Sequence, residues 1–199
     1  MKKQVVFEKG YLHDRVPTKV YKELLDSINI SDINSKEPLN SVLAGNIEKE
    51  FDVTKLIPDS FYDYVSSLAN GYYDNFRSEK IKNNKRFVFY ESWVNYQKKY
   101  EFNPLHNHAG SLSYVVWIKI PYNLEDELSM PNNVKSRSPV NSVFEFVVND
   151  TPHPIGVNSS MEGDIIIFNS NMKHQVHPFY TSDEYRISMS GNLFTEWLD

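Results

Sequence analysis

The chain has 199 residues, of which 40% are hydrophobic, 14% are aromatic and 24% are charged, with a formal net charge of −5. This size and composition allow one buried core of ordinary size, and they exclude a disordered or membrane-spanning protein. The chain contains no cysteine, which excludes disulfides, thiolate metal sites and cysteine nucleophiles. Histidine and oxygen ligands must therefore hold any bound metal.

The N-terminal part, residues 1–85, predicts a mixed region that supports the rest of the fold. Apolar residues recur at helical spacing over Thr18–Ile30 and again over Asp59–Lys82, which predicts two amphipathic helices. The polar stretch Ser31–Asn40 between them predicts a loop, and residues 5–7 predict a short strand. We expect both helices to pack against a sheet.

The hydrophobic pattern changes to the alternation typical of β-strands from Arg86 onward. Short β-rich runs, separated by Pro, Asn, Asp and Gly, cover residues 87–90, 92–96, 113–120, 142–148, 163–168, 174–179 and 185–189. Many short strands at this spacing predict an all-β sandwich or jelly roll rather than βαβ units. The polar segment Asn123–Pro139 predicts a long loop or insertion near the rim of the barrel. Residues 1–199 therefore predict one mainly β domain.

Three histidines in two separated segments form a candidate metal site. His106 and His108 stand two residues apart, and side chains at this spacing on a strand share one face. His174 follows the predicted strand over residues 163–168, which brings it back across a jelly roll toward the same point. Three protein ligands leave coordination positions open, as catalysis on a metal requires. A histidine is more often a surface or core residue than a ligand, so the pattern alone leaves metal binding open.

The other three histidines are weaker candidates. His13 and His153 stand far from the other histidines in the sequence, and we expect them to be surface residues. His177 lies three residues beyond His174, so in a strand it points to the opposite face. We therefore rank it below the other three as a ligand.

Five segments in a fixed order carry a family resemblance. They are Ser92–Asn95, His106–Trp117, Glu162–Ser170, His174–Pro178 and Arg186–Asn192. The order of Gly-Asp, Phe, His-x-Val-x-Pro and Arg-x-Ser within them is the specific part. The region 87–195 resembles the iron(II)/2-oxoglutarate-dependent oxygenases, in particular their small prolyl-hydroxylase-like members from bacteria and phages. Residues 43–47 are also similar to the N-terminal extensions of phage-type members.

The resemblance implies a double-stranded β-helix, which is a jelly roll, over residues 86–199, with N-terminal helices packed on one sheet. It implies iron(II) in a facial triad and 2-oxoglutarate as the co-substrate. In the family, the three ligands of the metal fall on His106, His108 and His174 of this sequence. No catalytic residue beyond the metal site is expected.

The resemblance also implies residues that bind the co-substrate. Arg186 matches the basic residue that pairs with the far carboxylate of 2-oxoglutarate, and Ser188 matches the hydroxyl that assists it. The chemistry agrees, because a planar guanidinium binds a carboxylate through two hydrogen bonds and stays charged. Asn95 is similar to an asparagine that some branches place against the co-substrate. Tyr114 is a candidate to contribute a phenol to the same pocket.

The chain departs from the family at His108, where most members have Asp or Glu. Three neutral imidazoles leave the iron its full 2+ charge, whereas a carboxylate removes one unit. Two arrangements stay open: His108 binds the metal directly, or a water takes its place while the imidazole lies behind it. The three-histidine set also favours capture of zinc or nickel during purification.

The implied function is oxidation, by default hydroxylation, of an unidentified small molecule or peptide, with release of succinate and carbon dioxide. Candidates for the walls of the pocket are Trp93, Trp117, Phe144 and Phe146. Aromatic residues in strands more often pack in the hydrophobic core than contact a substrate, so we expect each of the four to be a core residue.

Three alternatives to an oxygenase stay open. Cupins share the barrel and use His-x-His with a later histidine, but they add a glutamate shortly after the pair, where this chain has Ala109–Ser113. A non-catalytic metal-binding module on the same barrel is the second alternative, since a fold does not fix a function. The third is a nucleic-acid demethylase, which only Asn95 favours and which the acidic balance of charge opposes.

The sequence also predicts where the protein resides and what it contacts. Its apolar runs fall far short of the roughly 20 residues of a bilayer crossing, and the N-terminus lacks the apolar run of a signal peptide. We expect a cytoplasmic protein, in the host cytoplasm if a phage encodes it, without a membrane or nucleic-acid partner. The sequence leaves homo-oligomerisation open.

Overall fold

The computed structural model describes residues 2–6, 9–28, 39, 43–76 and 85–197. Within these ranges the chain forms two antiparallel β-sheets and four α-helices. The strands are β1 (Lys2–Val6), β2 (Lys9–Arg15), β3 (Lys49–Asp52), β4 (Lys85–Gln97), β5 (Asn103–His106), β6 (Leu112–Lys119), β7 (Val143–Val148), β8 (Thr151–Gly156), β9 (Asp164–Asn169), β10 (Lys173–Val176) and β11 (Arg186–Trp197). The helices are α1 (Thr18–Ile28), α2 (Asp59–Phe76), α3 (Leu124–Leu128) and α4 (Pro131–Val134).

The two sheets have seven and four strands. The larger sheet has the order β1-β2-β9-β6-β11-β4-β3, and the smaller one has the order β5-β10-β7-β8. Many neighbouring strands in each sheet, such as β6 and β11, are distant in sequence, as in a jelly roll. The predicted fold class, a mainly β jelly roll with N-terminal helices on one sheet, is therefore confirmed.

The larger sheet is covered on both faces, so the central strand β6 is buried on both sides. Val116 of β6 belongs to the apolar layer between this sheet and the helices, together with Leu24 of α1 and Phe61 of α2. Val115 belongs to the layer between the two sheets, together with Phe144 of β7. Adjacent residues of one strand thus serve two different cores.

Both N-terminal helices form where the apolar period predicts them. Helix α2 begins at Asp59 as predicted, and an acidic residue in the first turn is favourable beside the positive end of the helix dipole. Helix α1 spans Thr18–Ile28. The predicted loop Ser31–Asn40 and the predicted helix end at residues 77–82 lie outside the described residues, apart from residue 39.

The segment Asn123–Pro139 differs from the predicted loop, because it contains the short helices α3 and α4. The side chain of Asn123 caps α3 by accepting a hydrogen bond from the Glu125 N–H at 2.8 Å. The carboxylate of Glu127 is fully buried and accepts from the backbone N–H groups of Tyr180 and Thr181. The polar residues of this segment therefore cap helices and fix a neighbouring loop.

The predicted break after β7 is a tight hairpin turn. Asn149 and Asp150 both have positive φ, at 50° and 60°, which suits a two-residue turn between twisted strands. The return strand β8 was not predicted, because Pro152 and Pro154 interrupt it. β8 tolerates them because it is the edge strand of the smaller sheet.

None of the helices in the described ranges combines the length and the apolar character that a membrane crossing requires.

We expect Gly191→Ala to destabilise the fold by about 1–3 kcal/mol, as overpacking of a core does. A Cβ at Gly191 of β11 would lie 2.6 Å from the Tyr114 hydroxyl and 2.7 Å from the Glu91 carbonyl oxygen, and the backbone of β4 cannot yield cheaply. Gly156→Ala is the matched control, since its Cβ meets only the flexible end of Leu124 at 2.9 Å. Urea unfolding of both variants measures the difference, and equal stabilities would contradict this packing.

Candidate metal centre and its cavity

The structure brings together His106, His108 and His174. One ring nitrogen of each lies within 4.8 Å of the others. β5 and β10 are antiparallel neighbours, and His106 stands directly opposite His174 in their register. His108 lies beyond the end of β5, and its backbone N–H donates to the Ser170 carbonyl at 2.9 Å. The imidazole of His108 therefore reaches the cluster from a loop that this hydrogen bond holds in place, and not through the predicted alternation of side chains along a strand.

Backbone carbonyls orient two of the three rings. The Nδ1 atom of His106 lies 2.7 Å from the Pro104 carbonyl oxygen, and the Nδ1 atom of His174 lies 2.9 Å from that of Met172. A carbonyl only accepts, so both Nδ1 atoms must carry the proton. Both Nε2 atoms then keep a free lone pair, which is the state that a metal requires.

The environment keeps all three imidazoles neutral. Burial, reinforced by the neighbouring His106, lowers the pKa of His174 to about 3 and that of His108 to about 4. Burial also lowers the pKa of His106. Because metals bind the deprotonated ring, the cluster is ready to take a cation at neutral pH.

Aromatic rings hold the imidazoles and wall the cavity beside them. Phe144 stacks on His174 with the ring centres 5.6 Å apart, and Trp93 lies 5.6 Å from the His108 ring. Of the four predicted wall residues, Trp93, Trp117 and Phe144 line the cavity. Phe146 is fully buried in the core between the sheets.

Arg186 lies at the polar end of the same cavity and is 3% exposed. It donates to Gln97 Oε1 at 2.6 and 3.0 Å, to the Tyr122 hydroxyl at 2.9 Å, and to the carbonyl oxygens of His177 and Ser142 at 2.9 and 3.3 Å. These partners are all neutral, and no carboxylate in the described part of the chain pairs with it. A guanidinium stays charged when buried, so this end of the cavity attracts an anion.

Asn95 and Ser188 stand opposite each other on β4 and β11, and both line the cavity. The Asn95 Nδ2 lies 3.4 Å from the Ser188 Oγ, whereas the Asn95 Oδ1 is buried without a hydrogen-bond partner. Along β4, Asn95 falls between Trp93, which contacts His108, and Gln97, which contacts Arg186. This pair therefore lies between the imidazoles and the guanidinium.

Tyr114 is placed differently from its predicted role. Although it borders the cavity, its ring packs against Phe61 and Phe89 on the helical side of the sheet. Its hydroxyl pairs with the Ser92 Oγ at 2.7 Å. Alternation along β6 turns Val115 toward the cavity and Tyr114 away from it. The phenol is therefore held mainly by the core under the helices, and a contribution of Tyr114 to the pocket stays a prediction.

The remaining histidines do not join the imidazole cluster. His13, which was predicted to be a surface residue, is half-buried on β2 and lies 2.8 Å from a carboxylate oxygen of Asp164. His153 lies on the edge strand β8. His177 contributes its carbonyl oxygen to Arg186, while its Nε2 lies 3.6 Å from Glu145.

Two contacts of Arg186 were missed at the level of sequence. Gln97 follows Asn95 by two residues on β4, so strand alternation could have placed it on the same face. Tyr122 lies after the end of β6, where no periodicity constrains its direction. Together they fix the guanidinium in the cavity.

A second, larger cleft reaches the imidazoles from the outside. His106 and His108 line both the inner cavity and this cleft, and Trp93 separates the two. The exposed ring of Tyr90 and the side chain of Leu43 border its mouth. The cluster is therefore accessible from two sides.

A model of a known protein family matches about half of this chain. The model for the family described as "Putative 2OG-Fe(II) oxygenase" matches residues 91–192, which include the three imidazoles and Arg186. No curated protein matches the chain.

Several solved structures share the fold. A prolyl-4-hydroxylase from Pseudomonas putida is 13% identical with a TM-score of 0.56, covering 94% of this chain and 92% of that chain. HygX from Streptomyces hygroscopicus, solved with nickel and 2-oxoglutarate, is 12% identical with a TM-score of 0.54, covering 92% and 82%. A prolyl hydroxylase from Trichoplax adhaerens, in complex with a peptide fragment, is 11% identical with a TM-score of 0.52, covering 92% and 83%. At these identities the similarity concerns the fold.

We expect His174→Ala to lose the bound metal, because it removes a ligand whose lone pair is already directed into the cluster. His153→Ala is the matched control and should keep the metal content of the wild type, since β8 lies apart from the cluster. Metal analysis after dialysis against excess Ni(II) measures both. A fully loaded His174→Ala variant would remove this residue from the ligand set.

Tyr114→Phe should lower the stability by about 1 kcal/mol, the net value of one buried hydrogen bond, and leave metal binding unchanged. The lost partner is the Ser92 hydroxyl, which lies on the helical side of the sheet. Thermal unfolding and the same metal analysis test the two halves of this prediction. Loss of metal with unchanged stability would place the phenol in the cavity after all.

Proposed function

This chain belongs to the family of 2OG-Fe(II) oxygenases, and from that premise we propose that it hydroxylates a small molecule or a peptide. In this proposal His106, His108 and His174 hold iron(II), and Arg186 holds 2-oxoglutarate. The observation that carries it is the buried guanidinium, which has no carboxylate partner among the described residues and lies in the same cavity as three neutral imidazoles. A candidate cation site and a candidate anion site thus share one cavity.

The donor set fits iron(II). Imidazole is a suitable ligand for this ion, and three protein ligands leave positions for a co-substrate. The pKa values of the three rings lie below their ordinary range, so no proton has to leave when the metal binds near neutral pH. When bound, iron(II) would supply the site at which dioxygen oxidises 2-oxoglutarate to succinate and carbon dioxide, with one oxygen atom going to succinate and the other to the substrate.

The inner cavity fits the co-substrate. We assign Arg186 to its far carboxylate, which replaces the Gln97 amide oxygen as the acceptor, because a charge-assisted pair is roughly twice as strong as a neutral one. The carbonyl oxygens of Ser142 and His177 keep the guanidinium fixed during this exchange. Ser188 and Asn95 line the path between the guanidinium and the imidazoles, where they can donate to the rest of the anion.

The outer cleft fits the substrate. It shares His106 and His108 with the inner cavity, so a substrate in the cleft and a co-substrate in the cavity meet at the same imidazoles. Trp93 and the buried core around it exclude bulk water from the inner side. The open, mixed apolar and polar lining suits a peptide segment or a small molecule.

We also propose that residues 1–85 and 86–199 act as one domain. Strands β2 and β3 come from the first part and complete the larger sheet of the second part. Removal of the first part would expose two edges of that sheet.

We expect Arg186→Ala to weaken 2-oxoglutarate binding at least tenfold, since it removes a buried charge-assisted pair worth about 1.5–3 kcal/mol. Its metal content should stay near that of the wild type. The matched control is Arg86→Ala, which removes an exposed arginine paired with Glu196 on the far end of the sheet. Calorimetric titration of 2-oxoglutarate into Mn(II)-loaded protein measures the affinity. Loss of metal with an unchanged affinity would contradict the role of Arg186.

Turnover tests the hydroxylase part of the proposal. Iron(II)-loaded protein should convert 2-oxoglutarate to succinate in the presence of oxygen, and His174→Ala should abolish this conversion. Addition of candidate peptides and metabolites should yield a product that has gained one oxygen atom, detected by mass spectrometry. A product without added oxygen would indicate another oxidation on the same site.

A further inference from the structure

Glu50 of β3 is a buried carboxyl group that the proposed function does not use. It is fully buried, and within the described ranges neither carboxyl oxygen has a hydrogen-bond partner. A buried carboxylate without a donor is strongly unfavourable, so such a group is either protonated or served by a ligand. The position of Glu50 in the sheet, and the groups around it, show which of these two states applies.

Strand pairing places Glu50 on the cavity side of the larger sheet. Glu50 stands directly opposite Asn95 in the register of β3 and β4, and directly opposite residues share a face. The next pair along, Phe51 and Val94, belongs to the apolar layer under the helices. Because Asn95 stands opposite Ser188 on β11, Glu50, Asn95 and Ser188 form one polar row across the sheet.

The hydrogen-bond needs along this row are complementary. Asn95 directs its Nδ2 toward Ser188, and its Oδ1 is buried without a donor. A protonated Glu50 has one O–H to donate, and Asn95, opposite it across the strand pair, has an unpaired acceptor in Oδ1. An ionised Glu50 would instead require donors, and Nδ2 is the donor that Asn95 offers.

The charges around Glu50 favour its neutral form. Burial, and then the Glu101 carboxylate in the turn before β5, raise the pKa of Glu50 from 4.5 to about 7. Lys98 of the neighbouring turn is engaged by Glu48 at 2.8 Å, and Arg186 on β11 is turned to Gln97. Asn95, Gln97 and Asn103 are the neutral polar groups on the strands that pack against this side.

We propose that Glu50 is a positioning residue for the co-substrate: as the neutral acid it donates to Asn95 Oδ1 and holds Nδ2 toward the 2-oxoglutarate cavity. This inference rests on the proposed function. When the proton leaves, Glu50 accepts from Nδ2, the amide turns over, and Asn95 presents an oxygen to the anionic co-substrate. One proton on Glu50 thereby changes a donor in the cavity wall into an acceptor.

Asn103 is the competing acceptor for the same proton. Its Oδ1 is also buried without a donor, and both it and the Glu50 Oε1 lie close beside Gly45. Donation to Asn103 would leave the Asn95 amide unaffected by the ionisation of Glu50. The affinity for 2-oxoglutarate would then not depend on this proton through Asn95.

The test is the affinity of the Mn(II)-loaded full chain for 2-oxoglutarate, measured by calorimetry from about pH 6 to about pH 8.5, on either side of the Glu50 pKa. We expect the wild type to weaken roughly tenfold across this range, as exchange of one donor for an acceptor implies. Glu50→Gln should bind tightly at every pH, because its amide donates and does not ionise. Glu50→Met, which neither donates nor ionises, should bind weakly at every pH.

Two further variants serve as controls. Glu48→Gln removes an exposed acid next to β3 and should follow the wild-type profile. Glu101→Gln removes the charge that faces Glu50 and should move the midpoint to lower pH. A flat wild-type profile, or a Glu50→Gln profile that falls like the wild type, would overturn the role of Glu50 and leave the proposed function intact. Absence of 2-oxoglutarate binding in every variant at every pH would overturn the proposed function itself, and this inference with it.

Discussion

The guanidinium of Arg186, buried with no carboxylate partner in the part of the chain that the structure describes, is the constraint on which the rest of this structure depends. Burial of Arg186 is tolerated because the fold supplies five hydrogen bonds to four neutral residues from separate parts of the chain. Gln97 comes from β4, Tyr122 follows β6, and two backbone carbonyls come from the loops around β7 and β10. The loop after His177 is itself fixed by the buried Glu127, which accepts from Tyr180 and Thr181. The polar insertion that contains α3 thus supports the contacts of Arg186 from a distance.

The same cavity sets the charge balance of the metal site. Three neutral imidazoles do not reduce the 2+ charge of a bound iron, and Arg186 adds a further positive charge at the other end. The described part of the cavity lining offers no carboxylate to offset them. In the proposed function, a dianionic co-substrate that contacts both ends supplies this compensation, and we therefore expect metal binding at a site with His108 in place of a carboxylate to depend strongly on 2-oxoglutarate. Glu50 is consistent with this balance, because its neutral form adds no negative charge beside the anion.

Part of the candidate site could be predicted from a strand that returns across the barrel, and β10 places His174 opposite His106 in the smaller sheet. Asn95 and Ser188, which line the cavity, were predicted from the family resemblance and not from the strand pattern. Tyr114 could not be placed in this way, because β6 is buried on both faces and its apolar run shows no polar and apolar alternation. His108 reaches the cluster through a loop held by one backbone hydrogen bond, which no periodicity encodes. The burial of Glu50 could not be predicted for another reason. A glutamate in a short strand is expected to face solvent unless the strand that pairs with it is known.

Anaerobic titration of iron(II) with and without 2-oxoglutarate tests the central claim, that one cavity holds both, most directly. If one cavity holds both, a weak metal-to-ligand charge-transfer band in the visible should develop only when both are present, and His174→Ala should abolish it. Iron that binds to the three histidines without any band on addition of 2-oxoglutarate would contradict it. The chain would then hold a metal on this barrel without using it as an oxygenase does.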